Sequence, residues 1–284
     1  MLRPGLDLKL KAGEGPDVRV LMLSRAENVA LVRRAVEGAA DALDLENALL
    51  IDVLTATSEA CNNVALHAYG PGIGPLEMYL CPDDTELEVV VRDEGLGIRP
   101  RPTDEQTPGM GLMLIHALTD TVEFRGSPGE GTEVRMTFRS PRRLRKVANG
   151  GRPLRKQIDP PDGEAIVSAA SGPMAAAVFS RVLAMAGSRA NFPVDRIAEM
   201  QLIADALAAH APSGSVGRHL HMGMEPKPGG FVLRVGPLAP GSAESIVQAS
   251  GVSGTDRAIL EDLTAGHRVE PRNDGELLRL DLAA

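Results

Sequence analysis

The chain is poor in cysteine, in aromatic residues and in long apolar runs, and it has no excess of positive charge. Cys61 and Cys81 are the two cysteines in 284 residues, too few for a disulfide framework or a structural zinc site. Cys61 falls inside an apolar helical pattern, where a small buried side chain is expected. The amino-terminal MLRPGLDLKLKAGEG has no apolar core followed by a small-residue cleavage site, so it does not read as a signal peptide. The most apolar stretch, AIVSAASGPMAAAVF from Ala165, is broken by Ser, Gly and Pro and closed by Arg181, too short to cross a bilayer. A formal net charge of −8 argues against nucleic acid as a direct partner of the surface. With 43% hydrophobic and 24% charged residues, the chain has the material for one large or two medium domains. These absences lead us to expect a cytoplasmic protein.

Periodicity then sets an order of elements. VRVLMLS from Val18 reads as a strand, and Val29, Val32, Ala35, Val36 and Ala39 follow at helical spacing. A second helix is expected from about Glu46 to Leu66, ended by YGPGIGP. PLEMYLC and ELEVVVRD form paired strands around PDDT, and TVEFRGSPGEGTEVRMTF is a hairpin around a Gly/Pro turn. Between them lie a Gly- and Pro-rich loop and a short helix over Gly111 to Asp120. The order implies helices layered on one face of a mainly antiparallel sheet, an α+β two-layer sandwich.

From Arg139 to Lys156, RSPRRLRKVANGGRPLRK is basic and poor in apolar residues, which is expected of a solvated interdomain linker. Beyond it the pattern returns. AIVSAASGPMAAAVFSRVLAMAG repeats the opening strand and helix, with Val178 and Val182 against Val32 and Val36. FPVDRIAEMQLIADALAAHA repeats the second helix, FVLRVGPLAPG repeats EVVVRDEGLG, and Val269 to Arg272 stands against Val122 to Arg125. The shared order points to a tandem duplication, with units 14–139 and 163–284 joined by 140–162.

SEACNNVALHAYG places Glu59, Asn63 and His67 one helical turn apart, on one face. A carboxylate, an amide and an imidazole there could solvate a surface or line a site. DEGLG (Asp93 to Gly97) ends a strand, and GMGL (Gly109 to Leu112) opens a helix, followed by GEGT (Gly129 to Thr132). A carboxylate at a strand end accepts hydrogen bonds from an exocyclic amine. A Gly-rich turn entering a helix offers N–H groups and a positive dipole end to phosphates. Asn63 offers an amide oxygen to Mg²⁺, and Glu59 can take a proton from an attacking hydroxyl. Singly these are turns and helix faces; together, in this order, they describe a nucleotide site.

These segments resemble the N box, G1 box, G2 box and closing strand of the GHKL ATPase superfamily, and most of all anti-sigma-factor serine kinases of the RsbW and SpoIIAB kind. The resemblance covers about residues 14 to 139. It implies a Bergerat ATP-binding fold with ATP and Mg²⁺ bound. Glu59 is then the general base, Asn63 the Mg²⁺ ligand and Asp93 the adenine contact. Gly95, Gly97 and Ile98 shape the base pocket, Gly109, Met110, Gly111 and Leu112 hold the phosphates, and Thr132 touches the adenine side. His67 is expected to support the structure.

The second half departs from that pattern, with Asp205, Ala209 and Pro237 at the Glu, Asn and Asp positions and no G-x-G-L loop. It is expected to keep the fold without ATP. The resemblance implies a protein serine/threonine kinase that phosphorylates a STAS-type antagonist, binds a sigma factor and takes part in transcription regulation. The chain would work as a homodimer or as a pseudo-dimer in which the second half replaces a partner. A non-catalytic, ATP-gated binding protein fits the same motifs. A histidine kinase fits poorly, because no histidine precedes His67. Gyrase-like and Hsp90-like ATPases fit poorly because the loop from Gly97 to Gly109 is short.

Overall fold

In the computed structural model, residues 17–98, 110–145, 163–249 and 259–284 are described. The first half runs β1 (Val18–Leu23), α1 (Val29–Leu43), α2 (Asn47–Asn63), β2 (Pro75–Pro82) and β3 (Glu86–Asp93). It continues with α3 (Met110–Leu118), β4 (Thr121–Gly126) and β5 (Thr132–Arg139). The second half runs β6 (Ala165–Ala170), α4 (Pro173–Arg189), α5 (Val194–Gly214), β7 (His219–Lys227) and β8 (Gly230–Leu238). It ends with α6 (Ser242–Ala249), α7 (Ile259–Leu263), β9 (Gly266–Arg272) and β10 (Gly275–Ala283).

Local sequence explains most boundaries. α1 buries Val29, Val32, Ala35, Val36 and Ala39, the expected stripe. It stops at Asp44, which turns left-handed (φ 56°) and donates its N–H back to Ala40 and Asp41. α4 opens with Pro173 in its first turn, where the missing N–H costs no helical bond.

The ten strands form one sheet in the order β4-β5-β3-β2-β1-β6-β7-β8-β10-β9, and each neighbouring pair is antiparallel. The order reads the same outward from the β1–β6 pair, which exchanges first-half strands for their second-half counterparts. Register carries one face through the joint: Met78, Val20, Val167, Met222 and Val235 are successive partners, and all five are fully buried in one core with the helices. The opposite face is built from ion pairs such as Arg19–Glu77, Arg135–Glu88 and Arg234–Glu225. The expected α+β arrangement, helices on an antiparallel sheet, is present.

Above the joint, α1 crosses α4. The bare Cα of Gly38 allows this approach, because a Cβ there would lie 2.6 Å from the Ala177 carbonyl oxygen. Polar contacts bridge the halves around it. The Arg181 Nε donates to Asp41 at 2.8 Å and Arg189 donates to the Asn28 side chain at 2.9 Å, while Arg218 pairs with Asp17.

The basic segment expected to be solvated is packed at its start. Leu144 is 6% exposed and belongs to the core. Its N–H donates to Asp84, and the Arg145 N–H donates to Leu43. One leucine among arginines is enough to hold those residues down, because burying it removes apolar surface from water. The remainder of that segment, 146–162, lies outside the described residues.

Replacing Gly38 by Val is expected to force α1 from α4 and lower stability by about 1–3 kcal/mol, as overpacking does. Chemical denaturation checks it. An unchanged midpoint would show that the helices do not meet tightly.

Candidate functional site

α2 leaves α-helical geometry at Asn63, and Val64–Ala68 form a π turn rather than the expected continuation to Leu66. The Ala68 carbonyl accepts instead from the N–H of Leu96, at 2.7 Å. Tyr69, next along, donates its hydroxyl to the Pro75 carbonyl at 2.5 Å and accepts from the Glu94 N–H at 2.8 Å. The turn after β3 is therefore tied to the end of α2 on one side. On the other, the Gly129 N–H donates to Leu96 and the Gly131 N–H donates to Gly95, at 2.9 and 3.1 Å. Gly97 sits at φ +69°, and a Cβ there would lie 2.0 Å from the Ser127 carbonyl oxygen, so position 97 requires glycine.

Asp93 ends β3 with 5% exposure. Burial raises its pKa above the ordinary carboxylate value, and hydrogen bonds from the Gly95 N–H and from the Thr132 N–H and hydroxyl oppose the rise. A buried carboxylate with acceptor capacity left is suited to an N–H donor on a ligand.

Above Asp93 opens a cleft of about 860 Å³ between α2, α3 and the strands. Asn63, Gly97, Ile98, Gly111, Leu112 and Thr132 line it, together with Asp93. Its apolar walls come from Val64, Val91, Met113, Phe124 and Val134. Glu59 is not part of the lining but lies beside it: its Oε2 is 2.7 Å, and the Asn63 Oδ1 3.8 Å, from where a Cβ on Gly111 would be. Gly95 lies behind the turn, its N–H on Asp93. Met110 is 88% exposed and is not part of the lining. Gly109 lies outside the described residues.

Two histidines line the cleft. His67, expected to support the structure, is exposed on its wall. His116 also lines the cleft, its ring 5.6 Å from that of Phe124. Sequence reasoning passed over His116, although its four-residue spacing from Leu112 places both on one face of α3.

The arrangement fits a nucleoside triphosphate. Asp93 and Thr132 offer polar groups at the floor, apolar walls accept a flat base, and α3 points its first turn at the Glu59–Asn63 pair. Among the described residues no three His, Cys, Asp or Glu side chains cluster as a metal cage.

In the second half α6 packs against α5 and β10. α6 buries Ala243, Ile246 and Val247. The carboxylate of Glu276, on β10, accepts from the Ala243 N–H at 2.7 Å and so sits at the helix start. Asp205 and Ala209 are exposed on α5. Cys61 is fully buried, as expected, and burial pushes its thiol up to about 12.

Both tyrosines are also held protonated by burial. Tyr69 is pushed up to about 12, and Tyr79, beneath Arg19, is raised as well. Unfolding returns each to a value near 10, so the unfolded state releases protons first and stability falls as pH rises from about 10 towards 12. Ultraviolet titration of the folded chain is expected to show little phenolate at about pH 10.5. Half-ionisation at pH 10 would mean that the Tyr69 clamp is open to water.

Comparison with known proteins bears on this geometry. The profile of the histidine kinase-like ATPase domain matches residues 22–138. An anti-sigma F factor of Caldanaerobacter subterraneus subsp. tengcongensis is 34% identical over 125 residues, covering 40% of this chain and 87% of that protein. The serine-protein kinase RsbW of Bacillus anthracis is 30% identical over 145 residues, covering 46% and 88%. A solved histidine kinase domain of Erythrobacter litoralis aligns with a TM-score of 0.29 at 20% identity, over 32% of this chain and 44% of that one. No described helix is long and apolar enough to cross a membrane. Through residues 22–138, which carry the cleft, the chain belongs to the histidine kinase-like ATPase family, as a homologue of anti-sigma F factors and RsbW kinases.

Proposed function

We propose that the chain is an ATP-dependent protein serine kinase of the anti-sigma-factor type. It passes the γ-phosphoryl of ATP to a serine of a STAS-type antagonist protein and binds a sigma factor in alternation, as a partner switch. The observation that carries this reading is the approach of Glu59 to Gly111, which with Asn63 lines the cleft above Asp93. The identity to proteins named anti-sigma F factor and serine-protein kinase RsbW supports it.

In this reading Asp93 accepts from the adenine amine and Thr132 sits beside it. Ile98, Gly95 and Gly97 shape the base pocket. Gly109, Met110, Gly111 and Leu112 lead the phosphates onto the start of α3, where N–H groups face negative charge. Asn63 holds Mg²⁺, which neutralises phosphate charge when bound. Glu59 accepts the proton of the incoming serine hydroxyl, and the remaining work is positioning. The space at Gly111 lets the carboxylate approach without meeting a side chain.

The second half, 163–284, is read as a duplicated unit that has lost ATP and occupies the place of a partner subunit. The palindromic strand order supports a duplication, and Asp205, Ala209 and Pro237 at the Glu, Asn and Asp positions support a single nucleotide site per chain.

Glu59→Gln is expected to bind ATP as the wild type does while transferring the γ-phosphoryl roughly 10²–10⁴-fold more slowly. Radiolabel transfer to STAS proteins, with calorimetry for ATP, checks both. Unchanged transfer would remove Glu59 from the chemistry and favour a non-catalytic, ATP-gated binder.

A further inference from the structure

At the joint, sharing no residue with the cleft above Asp93, is a hollow of about 240 Å³ that neither half makes alone. From the first half come Arg25, Asn28 and Leu31, at the turn from β1 into α1. From the second come Glu164, the last turn of α4 (Ala186, Arg189, Ala190), and Met224, Lys227 and Phe231 on the β7–β8 hairpin. The hollow lies beside the bond that ties the halves there, in which Asn28 donates to the Leu23 carbonyl and accepts from Arg189.

Its chemistry is two-sided. Leu31, Ala186, Ala190, Met224 and Phe231 give an apolar floor, and Phe231 is backed by the stacked ring of Phe192 at 5.7 Å. At the rim three cations, Arg25, Arg189 and Lys227, face one carboxylate, Glu164. The acidic groups that act on Lys227 are already committed, Glu225 to Arg234 and Asp281 to Arg279. Arg25 makes no ion pair among the described residues. The corresponding place beside α1 in the first half is covered by Leu144, whose N–H donates to Asp84 on the β2–β3 hairpin while the Arg145 N–H donates to Leu43.

We infer that this hollow is a ligand site for a small apolar carboxylate, with its hydrocarbon body on Leu31, Met224 and Phe231 and its head on Arg25, Arg189 and Lys227. The volume is about eight times the share of one liquid water molecule, enough for a short fatty or branched acid. Guanidinium groups match a carboxylate in two-point hydrogen bonding, and each such charged bond is stronger than a neutral one. Because the walls come from both halves, an occupied site holds the β1–α1 turn against α4 and so reinforces the joint by linkage. The inference is independent of the kinase reading, since it uses no residue of the ATP cleft.

The test is calorimetric titration of the full chain, without nucleotide, with octanoate and with octylammonium, repeated on Arg25→Glu/Lys227→Glu. Both replaced residues are exposed, so the variant is expected to fold as the wild type does, which circular dichroism checks. Saturable binding of one octanoate per chain is expected, weakened at least about tenfold in the variant, with no saturable octylammonium binding to the wild type. Absence of octanoate binding, equal affinity in the variant (which would locate it elsewhere, the apolar walls of the ATP cleft included) or equally tight octylammonium binding overturns the inference. The wild-type comparison of the two probes stands even if the variant misfolds.

Discussion

The pairing of β1 with β6 is the constraint on which the rest of the molecule depends. Five strands on each side end at that seam, and without it each half would present a bare strand edge of unpaired N–H and C=O groups, open to any extended chain. The sequence meets the constraint with Val18, Val20 and Met22 facing Ala169, Val167 and Ala165 in register, all on the helix side and all buried. Small residues complete it. The alanines of β6 and Gly38 of α1 let α1 and α4 lie close above the strands, so one apolar core runs through both halves.

The candidate site depends on that frame indirectly. Its candidate residues sit at element ends: Glu59 and Asn63 in the last turns of α2, Asp93 at the end of β3, Gly111 at the start of α3. Such positions are well placed only if the connecting turn cannot move. Here it is held by Tyr69 and Ala68 on one side and by Gly129 and Gly131 on the other. In the second half α6 packs with its Ala243 N–H on the Glu276 carboxylate, and burial of Ile246 and Val247 there stabilises the fold.

Much of this was legible in the residues. Alternation marked the strands because one face of an antiparallel sheet is buried, and four-residue spacing put Glu59 and Asn63 together because α2 is helical to Asn63. The π turn was not legible, since sequence distance hides the bond between Ala68 and Leu96 that accompanies it. Phe124 and His116 were missed as cleft residues because their roles come from how α3 rests on β4. Leu144 was lost among arginines, where composition averaged over a segment hides one apolar anchor. The similar order of segments in the two parts of the sequence did not indicate that β1 and β6 pair. Local patterning carries no record of which edge meets which.

The central claim is that one chain holds one nucleotide site and fills its own partner position across the β1–β6 joint. The most direct measurement is ATP stoichiometry by calorimetry with Mg²⁺ present, on material whose assembly state is fixed by light scattering in the same buffer. The account predicts a monomer that binds one ATP, with binding abolished by Asp93→Asn. Two ATP per chain, or a dimer that dissociates when strand β1 is altered while β6 is left intact, would contradict it.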